Sequence, residues 1–356
     1  MSKHKSPLQS IRFIAAIMIF LRHFVFYNQD PNFATVNTKI FNYFFSPITF
    51  FFILSGWSLA NAYYTKIKNN TFVFSTYLKK RLLTLYPIHI VSFLLTVLLG
   101  WPVILKTPFS ITISHVLLLH AFIPISDYVR SYNGVSWCLS IFLFLYLVFP
   151  YLMSVIVRFD KHIQKYALGI AMMLFFGLFI WVYTNTFVGD TPYVLYFSPY
   201  ERLIDFLIGI CIFFVVTNIE TKHIHQFVWT GLELLAIGII VAAQGYAHIV
   251  EIKYIYDVYF ILPWAIVVGV FAISKGYIAK FLSWKPLVLS GSISLEFFLL
   301  HNASLRWVYS YVNPVFPMTI WQLLLSSFIM AVIGSIVVHT FLTHLFSQSI
   351  LKKITL

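Results

Sequence analysis

Arg12 and His23 stand eleven residues apart in LQSIRFIAAIMIFLRHF, a stretch otherwise apolar enough for a lipid bilayer. A charge at bilayer depth is costly, so an ionisable group placed there usually faces a polar interior and marks a site. At about 100° and 1.5 Å per residue, eleven residues make three turns plus roughly 20° and advance about 16 Å. The two groups therefore share one helix face at different depths. Such a pair can hold an anionic donor at one level and do proton chemistry at another, since imidazole titrates near neutrality. The plainer alternative is that Arg12 snorkels to one headgroup layer while Arg22 and His23 cap the helix at the other. A second histidine, His301, closes GSISLEFFLLH, and Ser294 lies seven residues before it on the same helical face. Those two would line a polar stripe, against the alternative of a hydrogen-bonded packing histidine.

The elements that position these residues must be membrane helices. Of 356 residues, 60% are hydrophobic and 10% charged, with a mean hydropathy of +0.86, too little polar surface for a soluble protein of this size. The formal charge of +13 does not imply nucleic-acid binding, because cytoplasmic loops of a membrane protein collect Lys and Arg. Cys138 and Cys211 both fall in apolar stretches, so neither a disulfide framework nor a metal site is indicated. The pattern reads as an all-α polytopic integral membrane protein forming a single domain over 1–356. Its ten expected spans lie near 8–28, 40–64, 86–105, 137–157, 166–187, 202–218, 226–247, 257–274, 290–309 and 319–346. The short proline-bounded segment 109–125 is expected to be interfacial or re-entrant.

Basic residues in alternate loops set the orientation. One side collects sixteen, among them Lys79, Lys80 and Arg81, and the other five, so both termini are expected in the cytoplasm. A cleaved signal peptide is the rival reading of the first span, but Arg12 interrupts the apolar run it needs and no small-residue cleavage site follows.

Six motifs in a fixed order give the chain a family resemblance. Arg12 and His23 with ten residues between them are followed by FFILSGWSL (51–59), YLKKRLLTLYP (77–87) and NGVSWCLSIFLFLYLVFP (133–150). RLIDFLIGI (202–210) and GSISLEFFLLH (291–301) complete the series. Together they resemble acyltransferase family 3, integral-membrane acyltransferases acting on cell-surface glycans, over essentially the whole chain. There are departures. Gln9 and Ser10 stand where the family often has Asp-Gly, Thr84 replaces the second arginine of the basic segment, and Phe142 replaces a frequent Glu. Asp205 replaces a Glu but keeps the carboxylate. The missing Glu points to a branch specialised for capsule or exopolysaccharide modification.

The resemblance implies transfer of acetyl from acetyl-CoA to a hydroxyl of a cell-surface polysaccharide or its lipid-linked precursor, in a multi-pass cell-membrane protein of bacterial type. Acyl transfer from a thioester needs a base for the hydroxyl proton and donors for the oxyanion. His23 is the leading base and His301 the second candidate. Arg12, Lys79, Lys80 and Arg81 are expected to hold the phosphates of coenzyme A, the alternative being a topology signal drawn to anionic lipid. Glu296, Ser294, Ser55, Trp137 and Asp205 are expected site neighbours, with Arg202, Arg306 or a histidine available to pair with the carboxylates. Glu233 is expected to be structural, and His115, His120, His339 and His344 to be packing residues. No metal is expected. Of the 60 Phe and Tyr side chains, none is assigned a role, with Trp57 and Trp137 the aromatics to test first. A transporter or flippase for a glycan or small anion is the alternative function, since polar groups on membrane helices also suit a translocation path.

Overall fold

A computed structural model describes residues 6–27, 34–100, 106–159, 169–171, 174, 177–178, 181, 196–256 and 258–347. Every regular element among them is helical. In chain order these are α1 (Pro7–Phe24), α2 (Ala34–Lys39), α3 (Pro47–Lys68), α4 (Phe74–Leu99), α5 (Phe109–Val116), α6 (Ser126–Val129), α7 (Trp137–Ile156) and α8 (Pro199–Asn218). They continue with α9 (Gln226–Tyr246), α10 (Ile252–Tyr256), α11 (Ile261–Ile273), α12 (Tyr277–Leu282), α13 (Lys285–Ser292), α14 (Ser294–Trp307) and α15 (Ile320–Ser347). Among the described residues six stretches are long and apolar enough to cross a membrane: Thr35–Lys68, Phe74–Leu99, Trp137–Ile156, Gln226–Ile249, Tyr254–Ile273 and Ile320–Phe346. The helices outside that group include α1, α8 and α14, which carry Arg12 and Arg22, Glu201, Arg202 and Asp205, and Glu296 and Arg306.

Several boundaries differ from those expected. The stretch expected over 40–64 passes through a short 3₁₀ helix, Phe41–Tyr43, before α3 opens at Pro47, which occupies the first turn, where a fixed φ and a missing N–H cost nothing. The stretch expected to open at Tyr86–Pro87 instead begins at Phe74 and runs through Pro87, placing Lys79, Lys80 and Arg81 in the first two turns of α4. Proline inside a membrane helix is tolerated where neighbouring groups satisfy the freed carbonyl. The expected span 166–187 lies largely outside the described residues. Segment 109–125 forms α5, a turn and a short 3₁₀ helix, His120–Phe122.

The described chain divides into two compact units, and α1 contributes one end to each. The first unit comprises Met1–Ala15, Tyr43–Val73 and Phe144–Gly291. Its centre is the crossing of α3 and α8, where a Cβ on Gly56 would lie 2.0 Å from Phe206 O and one on Gly209 1.9 Å from Ile53 O. Only glycine lets the two backbones approach so closely, the small-residue packing favoured between helices in lipid. Arg202, 1% exposed, pairs with Asp205 Oδ2 at 2.7 Å and donates to Tyr196 O, Tyr256 O and Thr49 Oγ1. Buried Glu233 accepts from the backbone N–H groups of Gly276, Ile278 and Ala279, satisfying donors at the start of α12.

The second unit comprises Ala16–Asn42, Phe74–Leu143 and Ser292–Leu356. In it α14 packs against α15 and α4. Tyr311, just past α14, donates its hydroxyl to Leu99 O at the end of α4 at 2.8 Å, so the C-terminal ends of these two helices meet. They therefore run in parallel. Phe20 packs on Phe297 and His23 on His301, which aligns the end of α1 with them as well.

Candidate active site

His23 and His301 meet inside the second unit. The Nε2 atom of His301 lies 3.2 Å from Nδ1 of His23. The protonation pattern follows from the neighbouring carbonyls, which only accept. Nδ1 of His301 is 2.7 Å from Phe298 O and must carry a hydrogen, leaving its Nε2 as a lone pair. Nδ1 of His23 is 2.8 Å from Ile19 O and must also carry one. The His23 Nδ1–H is therefore shared between Ile19 O and His301 Nε2, and Nε2 of His23 is left as the basic nitrogen. His301 is 0% exposed and enclosed by Phe20, Phe297 and Phe298, whereas His23 is half-buried. The open imidazole is the one that can reach a substrate. The sealed one orients it, as a base is commonly held by a third group.

The sequence-derived residues distribute as follows. Ser294, at the start of α14, and Trp137, at the start of α7, are both buried in the unit that holds the histidine pair. Glu296, 8% exposed, accepts from His339 Nδ1 at 2.8 Å. Lys79 and Lys80 are exposed on α4, and Arg81, half-buried, lies with its guanidinium 5.5 Å from the Tyr77 ring centroid. Thr84, where the family motif has arginine, is exposed and donates to Lys80 O. Arg22 sits over Phe26 at 4.7 Å.

Arg12, Ser55 and Asp205 belong to the first unit. There Arg12 donates to Gln9 Oε1 at 3.0 Å, and the turn around it is fixed by Ser10 Oγ donating to Leu282 O and by close packing of the Gln9 backbone on Gly291. Asp205 is a counter-ion of Arg202, and Glu201 acts on the same guanidinium.

One cluster escaped the sequence reading. His89, His115 and His120 stack in series, with ring centroids 5.1 and 4.7 Å apart. His89 Nε2 donates to His115 O, and His115 Nδ1 donates to Ser131, whose hydroxyl is engaged by Tyr128 O. Asn133, beside this cluster, donates to Leu299 O two residues before His301. The group is a polar tie between the 109–136 segment and the helix carrying His301. Its members come from α4, α5 and a 3₁₀ turn, and no sequence period links them. Among the described residues no group of three or more His, Cys, Asp or Glu is placed to hold a metal ion.

An acyltransferase-domain family model matches residues 8–340. The chain belongs to the acyltransferase-3 family. No curated protein matches it, and no solved structure does. Membership makes it a membrane-embedded acyltransferase, consistent with its apolar helices.

Proposed function

We propose that this acyltransferase moves an acetyl group from acetyl-CoA to a hydroxyl of a cell-surface polysaccharide, of capsule or exopolysaccharide type, or of its lipid-linked precursor. The observation that carries the reading is the contact of His301 Nε2 with His23 Nδ1 at 3.2 Å, which orients the open imidazole while the bond of the same Nδ1 to Ile19 O leaves its Nε2 basic. His23 Nε2 takes the acceptor hydroxyl proton as the oxygen attacks the thioester carbonyl. When the carbon–sulfur bond breaks, the same proton passes to the departing thiolate, so the transfer is balanced with ester and free thiol as products. His301 is a positioning residue in this scheme.

The donor is a large anion, and Lys79, Lys80 and Arg81 are suited to its phosphates. Counted back from the junction of Tyr311 with Leu99 at 1.5 Å per residue, His301 lies about 15 Å down α14 and Arg81 about 27 Å down α4. The basic cluster is thus roughly 12 to 15 Å from the histidine pair along the unit, a spacing that the arm of coenzyme A can cover. Arg12, about 16 Å before His23 on α1, is the further cation proposed for the donor. The topology that serves this chemistry is one domain over 1–356, with ten spans and both termini cytoplasmic, so that the donor enters from the side where it is made. An apolar groove lined by Ile17, Phe20, Leu21, Trp321, Leu324, Leu325 and Phe328 opens beside Phe20, which touches His301, and favours a lipid-linked acceptor.

The test is mass spectrometry of surface polysaccharide from cells carrying the gene, lacking it, or carrying His23→Ala. An acetyl ester present only with the intact gene supports the reading. The same ester in all three strains contradicts it.

A further inference from the structure

Three lysines and a row of aromatic rings surround α12, a short helix in the first unit that the acyl-transfer scheme leaves unused. The apolar stretch Tyr254–Ile273 ends just before it, and Ser274, in the left-handed region at φ 58°, turns the chain out of α11. The start of α12 is then bound to the flank of α9. Tyr277 N–H donates to Thr230 Oγ1 at 3.0 Å, and Glu233 takes the N–H groups of Gly276, Ile278 and Ala279. That contact requires glycine, since a Cβ on Gly276 would lie 2.2 Å from Glu233 Oε2. Thr230 and Glu233 lie about 6 and 10 Å along the axis from Gln226, where the apolar stretch Gln226–Ile249 begins. The helix is therefore held level with the ends of two membrane-length stretches, at the depth where headgroups meet acyl chains.

Its outward side carries two chemistries. Tyr277, Phe281 and Trp284 recur at the spacing of one helical face, the last in the turn that closes the helix, and are 44%, 65% and 59% exposed. Phe227 at the start of α9 extends the row, its ring centroid 5.4 Å from that of Tyr277. Lys275, Lys280 and Lys285 are exposed on the same segment, no Asp or Glu occurs from 275 to 290, and no carboxylate pairs with the three among the described residues. Aromatic rings at this depth favour the boundary between headgroups and chains, and lysines beside them attract anionic headgroups. A neutral lipid surface would take the rings and leave the positive charge unmatched. We infer that the α12 surface binds anionic phospholipid, with Tyr277, Phe281 and Trp284 among the upper acyl chains and Lys275, Lys280 and Lys285 on the phosphates. The anchored segment is also the one that holds the start of α1, because Leu282 O accepts from Ser10 Oγ and Gly291 packs on the Gln9 backbone.

Trp284 is the reporter for the test. The full-length protein is placed in mixed vesicles of phosphatidylcholine and phosphatidylglycerol, with one lipid or the other brominated in its upper acyl chains. Quenching seen in the wild type and missing from Trp284→Phe belongs to Trp284. Brominated phosphatidylglycerol is expected to quench it at a concentration about fivefold or more below that of brominated phosphatidylcholine, because each lysine at an anionic surface contributes about that factor. Added salt should narrow the gap. Lys275→Gln, Lys280→Gln and Lys285→Gln together should abolish the preference while quenching remains, and the three changes to Arg should keep it, which separates lost charge from a folding defect. Equal quenching by both lipids in the wild type, or a preference that survives the Gln changes, overturns the inference. So does quenching by neither lipid, the result expected if a second copy or a soluble protein covers the row of rings.

Discussion

Replacing His301 by Phe separates the orienting imidazole from the reacting one. Phenylalanine keeps a ring inside the enclosure of Phe20, Phe297 and Phe298, so no cavity opens, but it removes the acceptor at Nε2. The His23 Nδ1–H retains its stronger bond to Ile19 O at 2.8 Å and loses only the longer one at 3.2 Å. The tautomer that leaves Nε2 basic is therefore preserved. One secondary hydrogen bond in a membrane interior is worth about 0.6–1.5 kcal/mol. At 1.36 kcal/mol per factor of ten, kcat should fall about three- to twelvefold. Deleting the base itself with His23→Ala should cost about 10² to 10⁴. Initial rates of thiol release by purified variants, with membrane insertion confirmed, give the comparison. Equal losses in the two variants would refute the division of roles, because His301 would then have to react directly.

Three further outcomes follow from the same geometry. Reversing charge at Lys79, Lys80 and Arg81 should raise KM for acetyl-CoA more than it lowers kcat, with the difference shrinking as salt rises; steady-state kinetics at two ionic strengths check this. Arg12→Lys should weaken coenzyme A binding measurably by calorimetry if a planar fork is what Arg12 offers the donor, and normal affinity would reduce its contribution to charge alone. Asp205→Ala removes the carboxylate 2.7 Å from Arg202, 1% exposed, and should lower stability by about 2 kcal/mol, the loss of one charge-assisted hydrogen bond, read as a reduced thermal midpoint in detergent.

Sequence and structure agree where a single helix carries the information. Arg12 and His23 could be placed on one face because both lie on α1, and the period of an α-helix is fixed. Their encounter with His301 required an ordered series of motifs, since 278 residues separate the two histidines. His339 was read as packing because one polar residue in an apolar helix looks the same whether it meets a carboxylate or a carbonyl. The repeat Ser327, Ala331, Ser335, His339 was the signal that could have assigned it to a seam. The helix that carries the expected span 86–105 begins earlier, at Phe74, with Pro87 in its middle. The partners of Asp205, Glu233 and Glu296 are an arginine, three backbone N–H groups and a histidine. Such choices depend on tertiary placement that no local pattern encodes.

The most direct measurement uses the purified chain in lipid vesicles, acetyl-CoA labelled in its acetyl group, and isolated surface polysaccharide lacking the ester. Wild-type protein should place label in a base-labile ester on the polysaccharide while releasing free thiol in equal amount, and His23→Ala should do neither. Ester formed by His23→Ala at the wild-type rate, or no label transferred by the wild type, would contradict the account.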